Sequence, residues 1–542
     1  MTSEPRAFLA IDHGSATVSV ALIGRVGGAW RLVGSLAVPA AADVDLAIDV
    51  LGRRVATADP TLPDALGIPS AGPGSLPRLE VRSRRPRRLA VVAGSERTLA
   101  ALVATAARSG WRTVAASVET TEPLAMIRTL LSAEVDAVLA GAGDPPRAEE
   151  RGAIRELASL VAGVAARRPE IPIVLAGSMS EGLPAFGDVH GRPGEIVLGP
   201  AAPAAAHGGV TGNAGDGPLA DLLLELALPA DDPRRTISIA TQTLADLLDR
   251  RIEAIVLGHD AGVRAVAVPS AGGVEGTARL AVVAEAAVAP DDPDDAAVDG
   301  VLVWSTVASD RHRLRDRLRE LRIAPWADAA GDGSALRMAA ARAALVRLAA
   351  RTPDLALDPA PDLVITASGI WSSVPAPAVA LALVDVLRRP GASQYALDHA
   401  RLLGALGAIP DADERAAVMR DLADDLLVPL GSVVTPAGLR AGRSAGGLVV
   451  HAGGTTTELD LVPGGLELVD LAPGELAVAE FRFRDTVRLG GRGRHFALDV
   501  GGGLGGLLVD LRDVPLRLPE RADRRRDLLG AWQAALWAGA DA

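Results

Sequence analysis

AFLAIDHGSATVSVALIG, residues 7–24, decides how the chain is read. An apolar run meets a polar corner (Asp12-His13-Gly14-Ser15) and a second apolar run follows, the pattern of two strands joined by a tight turn. Backbone N–H groups exposed at such a tip can cradle an anion. The glycine permits close approach, Ser15 adds a hydroxyl donor, and the Asp12 carboxylate can hold a hydrated magnesium ion. The same order returns in IEAIVLGHDAGVRAVAVP, residues 252–269, whose tip carries Asp260 and Gly262. A third corner, VITASGIW at 364–371, ends an apolar strand at Ser368 and Gly369. Two aspartate-bearing hairpins and a later glycine corner imply a nucleotide held between two lobes, with Asp12 and Asp260 facing each other as the catalytic pair.

Outward from these corners the pattern is α/β. AWRLVGSLAVP (29–39) reads as a third strand and DVDLAIDVLGRRVAT (43–57) has helical spacing. Residues 88–116 and 135–177 each run strand, polar corner, helix, strand, the mark of parallel strands with crossover helices. A Pro/Gly/Ala-rich stretch at 199–218 marks a boundary. Beyond the second hairpin, the acidic loop APDDPDDAAVDG leads into VLVWSTVA (301–308), read as a strand, and GSALRMAAARAALVRLAARTP (333–353), read as a helix. Past residue 425 the helical period gives way to short alternating strands until a closing helix at 520–537. The expected units are a first α/β lobe (1–235), a second (236–425) and a β-rich module (426–542).

Composition removes whole classes of chemistry. The chain has 542 residues, no cysteine, and a net charge of −12, which disfavours nucleic acid and anionic membrane as partners. All of its basic side chains other than histidine are arginine, so Schiff-base chemistry and a Walker A lysine are excluded. The histidines have no paired metal-ligand spacing. The N-terminal residues do not read as a signal peptide and no apolar run reaches membrane-helix length, which implies a cytoplasmic protein. ALDVGGGLGGLLVDL (497–511) imitates a phosphate loop, but a strand follows its glycines, so it reads as a strand connection.

The three corners, in this order, resemble those of the actin-like ATPase superfamily, which has a two-lobed, ribonuclease H-like fold. In that resemblance Asp12, Gly14, Ser15 and Thr17 match the first phosphate motif. Asp260 and Gly262 match the second, and Ser368 and Gly369 match the adenosine motif, with ATP and Mg2+ as implied cofactors. More narrowly, FLAIDHGSATVSVALI, residues 365–409 and the tail segments LLVPLGSVVTPAG and GGLGGLLVDLRDVPL resemble the MutL-type glutamate (methylaspartate) mutase accessory family. That resemblance implies an ATP-dependent chaperone that reactivates an adenosylcobalamin-dependent mutase, its partner. The second hairpin tip lacks the usual hydroxyl, and one glycine stands where two are usual at the third corner. These departures imply turnover weakened more than binding, and leave a catalytically silent scaffold, or a small-molecule kinase, as alternatives.

Overall fold

The computed structural model describes residues 6–536 apart from 70–71, 144, 146–149, 188–194, 202–216, 272–275, 325–330, 368 and 372–373. The chain opens with β1 (Ala7–His13), β2 (Thr17–Val26) and β3 (Ala29–Pro39), an antiparallel meander, and β4 (Arg78–Arg82) pairs parallel to β1. The sheet order is β3-β2-β1-β4. Both faces of the first hairpin are buried, which explains its nearly unbroken apolar sequence. Leu9, Ile11, Val18, Val20 and Leu22 face helix Val44–Ala58, which contributes Ile48, Leu51 and Val55. That helix starts where the Asp43 side chain accepts the N–H groups of Asp45 and Leu46. Ala10, Ala21 and Ile23 face the opposite way into the largest core.

A five-stranded parallel sheet follows: β5 (Arg88–Ala93), β6 (Arg112–Ser117), β7 (Ala137–Gly141), β8 (Ile173–Ala176) and β9 (Ile196–Gly199), in the order β6-β5-β7-β8-β9. The third sheet begins with the second hairpin, β10 (Ile252–Leu257) and β11 (Gly262–Ala267), then β12 (Arg279–Val283). Beside β10 lie β13 (Leu363–Ala367) and β14 (Gly391–Leu397), both parallel to it. The run β12-β11-β10-β13 repeats the order and strand directions of β3-β2-β1-β4. Helix Pro233–Leu248, which spans the expected boundary between residues 235 and 236, packs against β10 and β11 and against helix Leu402–Gly407, which in turn contacts β1 and β4. The largest core therefore runs continuously from the first sheet to the third.

The C-terminal strands divide between two sheets. β15 (Val428–Thr435), β18 (Leu466–Val469) and β21 (Leu507–Asp510) extend the third sheet to eight strands. β16 (Gly446–Ala452), β17 (Thr455–Leu461), β19 (Leu476–Leu489) and β20 (Gly491–Gly501) form a separate antiparallel sheet. The glycines at 502–506 join β20 to β21, with backbone packed on backbone: a Cβ at Gly503 would lie 2.3 Å from Gly431 N. One sequence expectation is overturned. Residues 301–304 of VLVWSTVA end helix Asp295–Trp304, because the Asp294 side chain caps it and Val298, Val301 and Trp304 recur on one buried face. The apolar run was too short for its period to distinguish a strand from a helix end. The architecture as a whole is a mixed α/β fold.

Candidate functional site

The two hairpins end at one cleft. Asp12, Gly14, Ser15 and Thr17 line it from the first, and His259 and Asp260 from the second. Gly369, Asp398 and Arg401, from the turns after β13 and β14, complete the wall. The empty volume is about 810 Å³, its solvent-open mouth included.

Each tip is closed by the same backbone bond: Gly14 N–H donates to Thr17 O and Gly258 N–H to Ala261 O, both at 2.9 Å. The N–H groups of Ser15 and Ala16, and of His259 and Asp260, meet no backbone acceptor among the described residues. A Cβ at Gly14 would stand 2.8 Å from Thr17 O and 3.2 Å from Arg401 Nη1, so the first tip needs its glycine. The third corner touches the first hairpin, since a Cβ at Gly369 would lie 3.4 Å from Thr17 Oγ1. Ser368 lies outside the described residues. Gly262 is not part of the cleft wall. It opens β11, where a Cβ would come 2.8 Å from Ala286 Cβ, so packing alone calls for its missing side chain.

Burial sets the electrostatics. The Asp12 carboxyl is pushed above its usual range by burial, against the pull of Arg401, whose Nε lies 3.6 Å from Oδ2. Among the described residues, Asp12 Oδ1 is buried without a hydrogen-bond partner, as is His259 Nε2. Burial drives His259 down to about 4, with Arg322, Arg337 and Arg401 outnumbering the opposing Asp260, so the imidazole is neutral at pH 7. Asp260 Oδ1 forms an ion pair with Arg322 Nη1 at 2.7 Å. The Asp398 carboxyl is pushed up to about 6 by burial, although it accepts the N–H groups of Leu402 and Leu403 at 2.8 and 2.9 Å.

Arg401 and Asp398 are the functional candidates that the sequence reading missed. Arg401 has φ +56°, a left-handed backbone unusual for a long side chain, and such strain costs on the order of 1–3 kcal/mol. Asp398 enforces it by capping helix Leu402–Gly407 immediately afterwards. The guanidinium then donates to Thr17 Oγ1 at 2.5 Å, and Ser19 Oγ donates to Ala400 O at 2.9 Å. These contacts tie the first hairpin to the end of β14. The available signal was position: Asp398 directly follows a strand of a parallel run, where open α/β sheets place ligand-binding loops.

The donor set fits an anion better than a directly held metal. Among the described residues no group of three or more His, Asp or Glu side chains could hold a metal ion. Mg2+ can be held by one or two carboxylates, but the nearest cation to Asp12 is already the Arg401 guanidinium. A hydrated Mg2+ on Asp12 would share a buried space with that charge, so the residues present do not fit the ion.

No protein-family model and no curated protein sequence matches the chain. Among solved structures it is similar to the nucleotide-free structure of acetone carboxylase, described under the mechanism of ATP-dependent acetone carboxylation. The two share 10% identity over 84% of this chain and 80% of that one, with a TM-score of 0.27, and at that score the likeness carries no weight for fold or chemistry.

Proposed function

We propose that this chain is an ATP-binding protein of the actin-like class, acting as a reactivating chaperone for an adenosylcobalamin-dependent mutase. The observation that carries the nucleotide part is the convergence of both hairpin tips and the Gly369 turn on one cleft. Strand order supports the two-lobed part, because β3-β2-β1-β4 recurs as β12-β11-β10-β13 and β14 continues it in the ribonuclease H-like manner. In this reading the tip N–H groups and the hydroxyls of Ser15 and Thr17 hold phosphate oxygens. Asp12, with one carboxylate oxygen unpaired among the described residues, orients the attacking water. Gly369 lets adenosine approach the backbone. The second tip offers no hydroxyl, so binding outlasts hydrolysis.

The mutase part rests on the resemblance of residues 365–409 and of the C-terminal strands. A chaperone role requires that nucleotide bind one lobe arrangement better than the other, since equal affinity shifts nothing. The test is thermal unfolding of the whole chain with and without ATP. At one hundred times Kd a ligand adds about 2.7 kcal/mol, which raises Tm. Absence of any ATP-dependent shift in the intact protein ends the nucleotide reading. Failure to release damaged cobalamin from an adenosylcobalamin-dependent mutase, with ATP binding intact, ends the chaperone part alone.

A further inference from the structure

Three arginines with assigned partners bear on the cleft, and they are not equivalent. Arg234 is paired with Asp232 at 2.6 Å, and Arg322 with Asp260 at 2.7 Å and Asp291 at 2.8 Å. Arg401 stands apart: its shortest bond is to a neutral hydroxyl, Thr17 Oγ1, and its nearest carboxylate, Asp12, is 3.6 Å away. Its charge is the one least neutralised by a carboxylate, and its side chain lines the cleft. It is held there by a left-handed backbone that one flanking carboxylate, Asp398, locks in place. A second observation points to a ligand. His259 is buried, lines the same cleft, and leaves Nε2 without a hydrogen-bond partner among the described residues.

We infer that the Arg401 guanidinium takes the place of a divalent cation in this cleft, so that a nucleotide polyphosphate is bound without Mg2+. This rests on the reading of the cleft as a nucleotide site. A guanidinium is planar and always charged, and it meets two phosphate oxygens at once. Turning from Thr17 toward an incoming phosphate costs Arg401 its bonds to two uncharged acceptors, Thr17 Oγ1 at 2.5 Å and Thr17 O at 3.4 Å, and gains two to anionic oxygens. The freed Thr17 hydroxyl then becomes a further donor to the same anion. Asp12, left beside the arginine, keeps the guanidinium oriented without the site needing a metal ligand.

The experiment is calorimetric titration of the full chain with ATP, in excess Mg2+ and in chelator, for the wild type, Arg401→Gln and Arg401→Lys. The wild type should bind equally well in both conditions within about threefold, and Arg401→Gln should lose about tenfold or more in chelator, the cost of a charged hydrogen bond. Mg2+ should restore much of that loss, a rescue that a purely structural defect would not show. Arg401→Lys should retain metal-free binding, and it decides the matter if circular dichroism shows the glutamine variant unfolded. A wild type that needs Mg2+, or an Arg401→Gln variant indifferent to chelation, overturns the inference and leaves the nucleotide reading standing. No ATP binding by the wild type in either condition overturns both.

Discussion

The first hairpin and the second close on the same backbone bond and diverge beneath it. Under the first tip the strands bury apolar side chains, and the buried polar ones, Thr17 and Ser19, sit close to the turn. Under the second, Glu253 of β10 meets Arg264 of β11 at 2.7 Å and Arg389 at 2.6 Å, and Arg264 also donates to Thr352 O at 2.7 Å. The second hairpin, whose apolar side chains are buried as well, is therefore also fixed by a buried charge network. The first is fixed by its apolar faces and by hydrogen bonds, from Ser19 and Arg401, that join it to the loop after β14. One turn geometry thus serves a rigid wall and a wall tied across the cleft. Ligand-dependent movement falls to the second kind, because a few hydrogen bonds exchange more easily than a buried ion network.

Removing the charge under the second hairpin tests that contrast most severely. Burial alone would raise the Glu253 carboxyl, but the Arg264 and Arg389 guanidiniums outweigh it and hold the group below its usual range. Glu253→Ala strands a buried guanidinium, so urea unfolding should show a loss of about 3–5 kcal/mol. A loss below about 1 kcal/mol, the value of an exposed pair, would break the distinction between the two hairpins.

A smaller effect comes from two groups in the cleft that burial shifts in opposite directions. His259 falls from 6.5 to about 4, so its contribution to stability is full above pH 6.5 and is lost as pH falls toward 4. Relative to His259→Gln, the wild type should lose about 2 kcal/mol between pH 7.5 and pH 5. Asp398 rises from 3.8 to about 6, so its contribution is full below pH 3.8 and is lost as pH rises through 6. Relative to Asp398→Asn, the wild type should gain about 1.4 kcal/mol over the same descent in pH. Chemical unfolding of the three proteins at both pH values checks the signs. Two differences of the same sign would mean that burial is not the common cause.

What could be read in the sequence follows the same contrast between local pattern and distant contact. Asp12, Gly14 and Ser15, and Asp260 after them, stand out because a hairpin tip is a local event written in consecutive residues. The parallel strands at 88–93 and 137–141 are legible for the same reason: each is a short apolar run before a polar corner. The packing need at Gly262 was not legible, because its neighbour Ala286 lies far along the chain and only the fold brings the two together. Arg401 was invisible because its meaning depends on Thr17, 384 residues away, and on a backbone conformation that no motif announces. The extension of the third sheet by β15, β18 and β21 is likewise a matter of pairing partners, which alternation along one strand does not specify.

The smallest expected effect separates ligand binding from folding at the first tip. Ser15 is exposed at the apex, and no hydrogen bond of its side chain to the protein is seen among the described residues. Ser15→Ala therefore removes nothing that the folded state uses, and stability should stay within about 0.5 kcal/mol of wild type. If the tip grips a phosphate, the hydroxyl contributes a bond in the complex alone, and ATP affinity should fall by about three- to tenfold. Calorimetric titration beside urea unfolding measures both quantities on the same preparation. The second hairpin supplies the control, because its tip residues His259, Asp260 and Ala261 carry no hydroxyl to remove. An unchanged affinity in Ser15→Ala would reduce the first tip to what the second already is, a wall of backbone N–H groups and one aspartate.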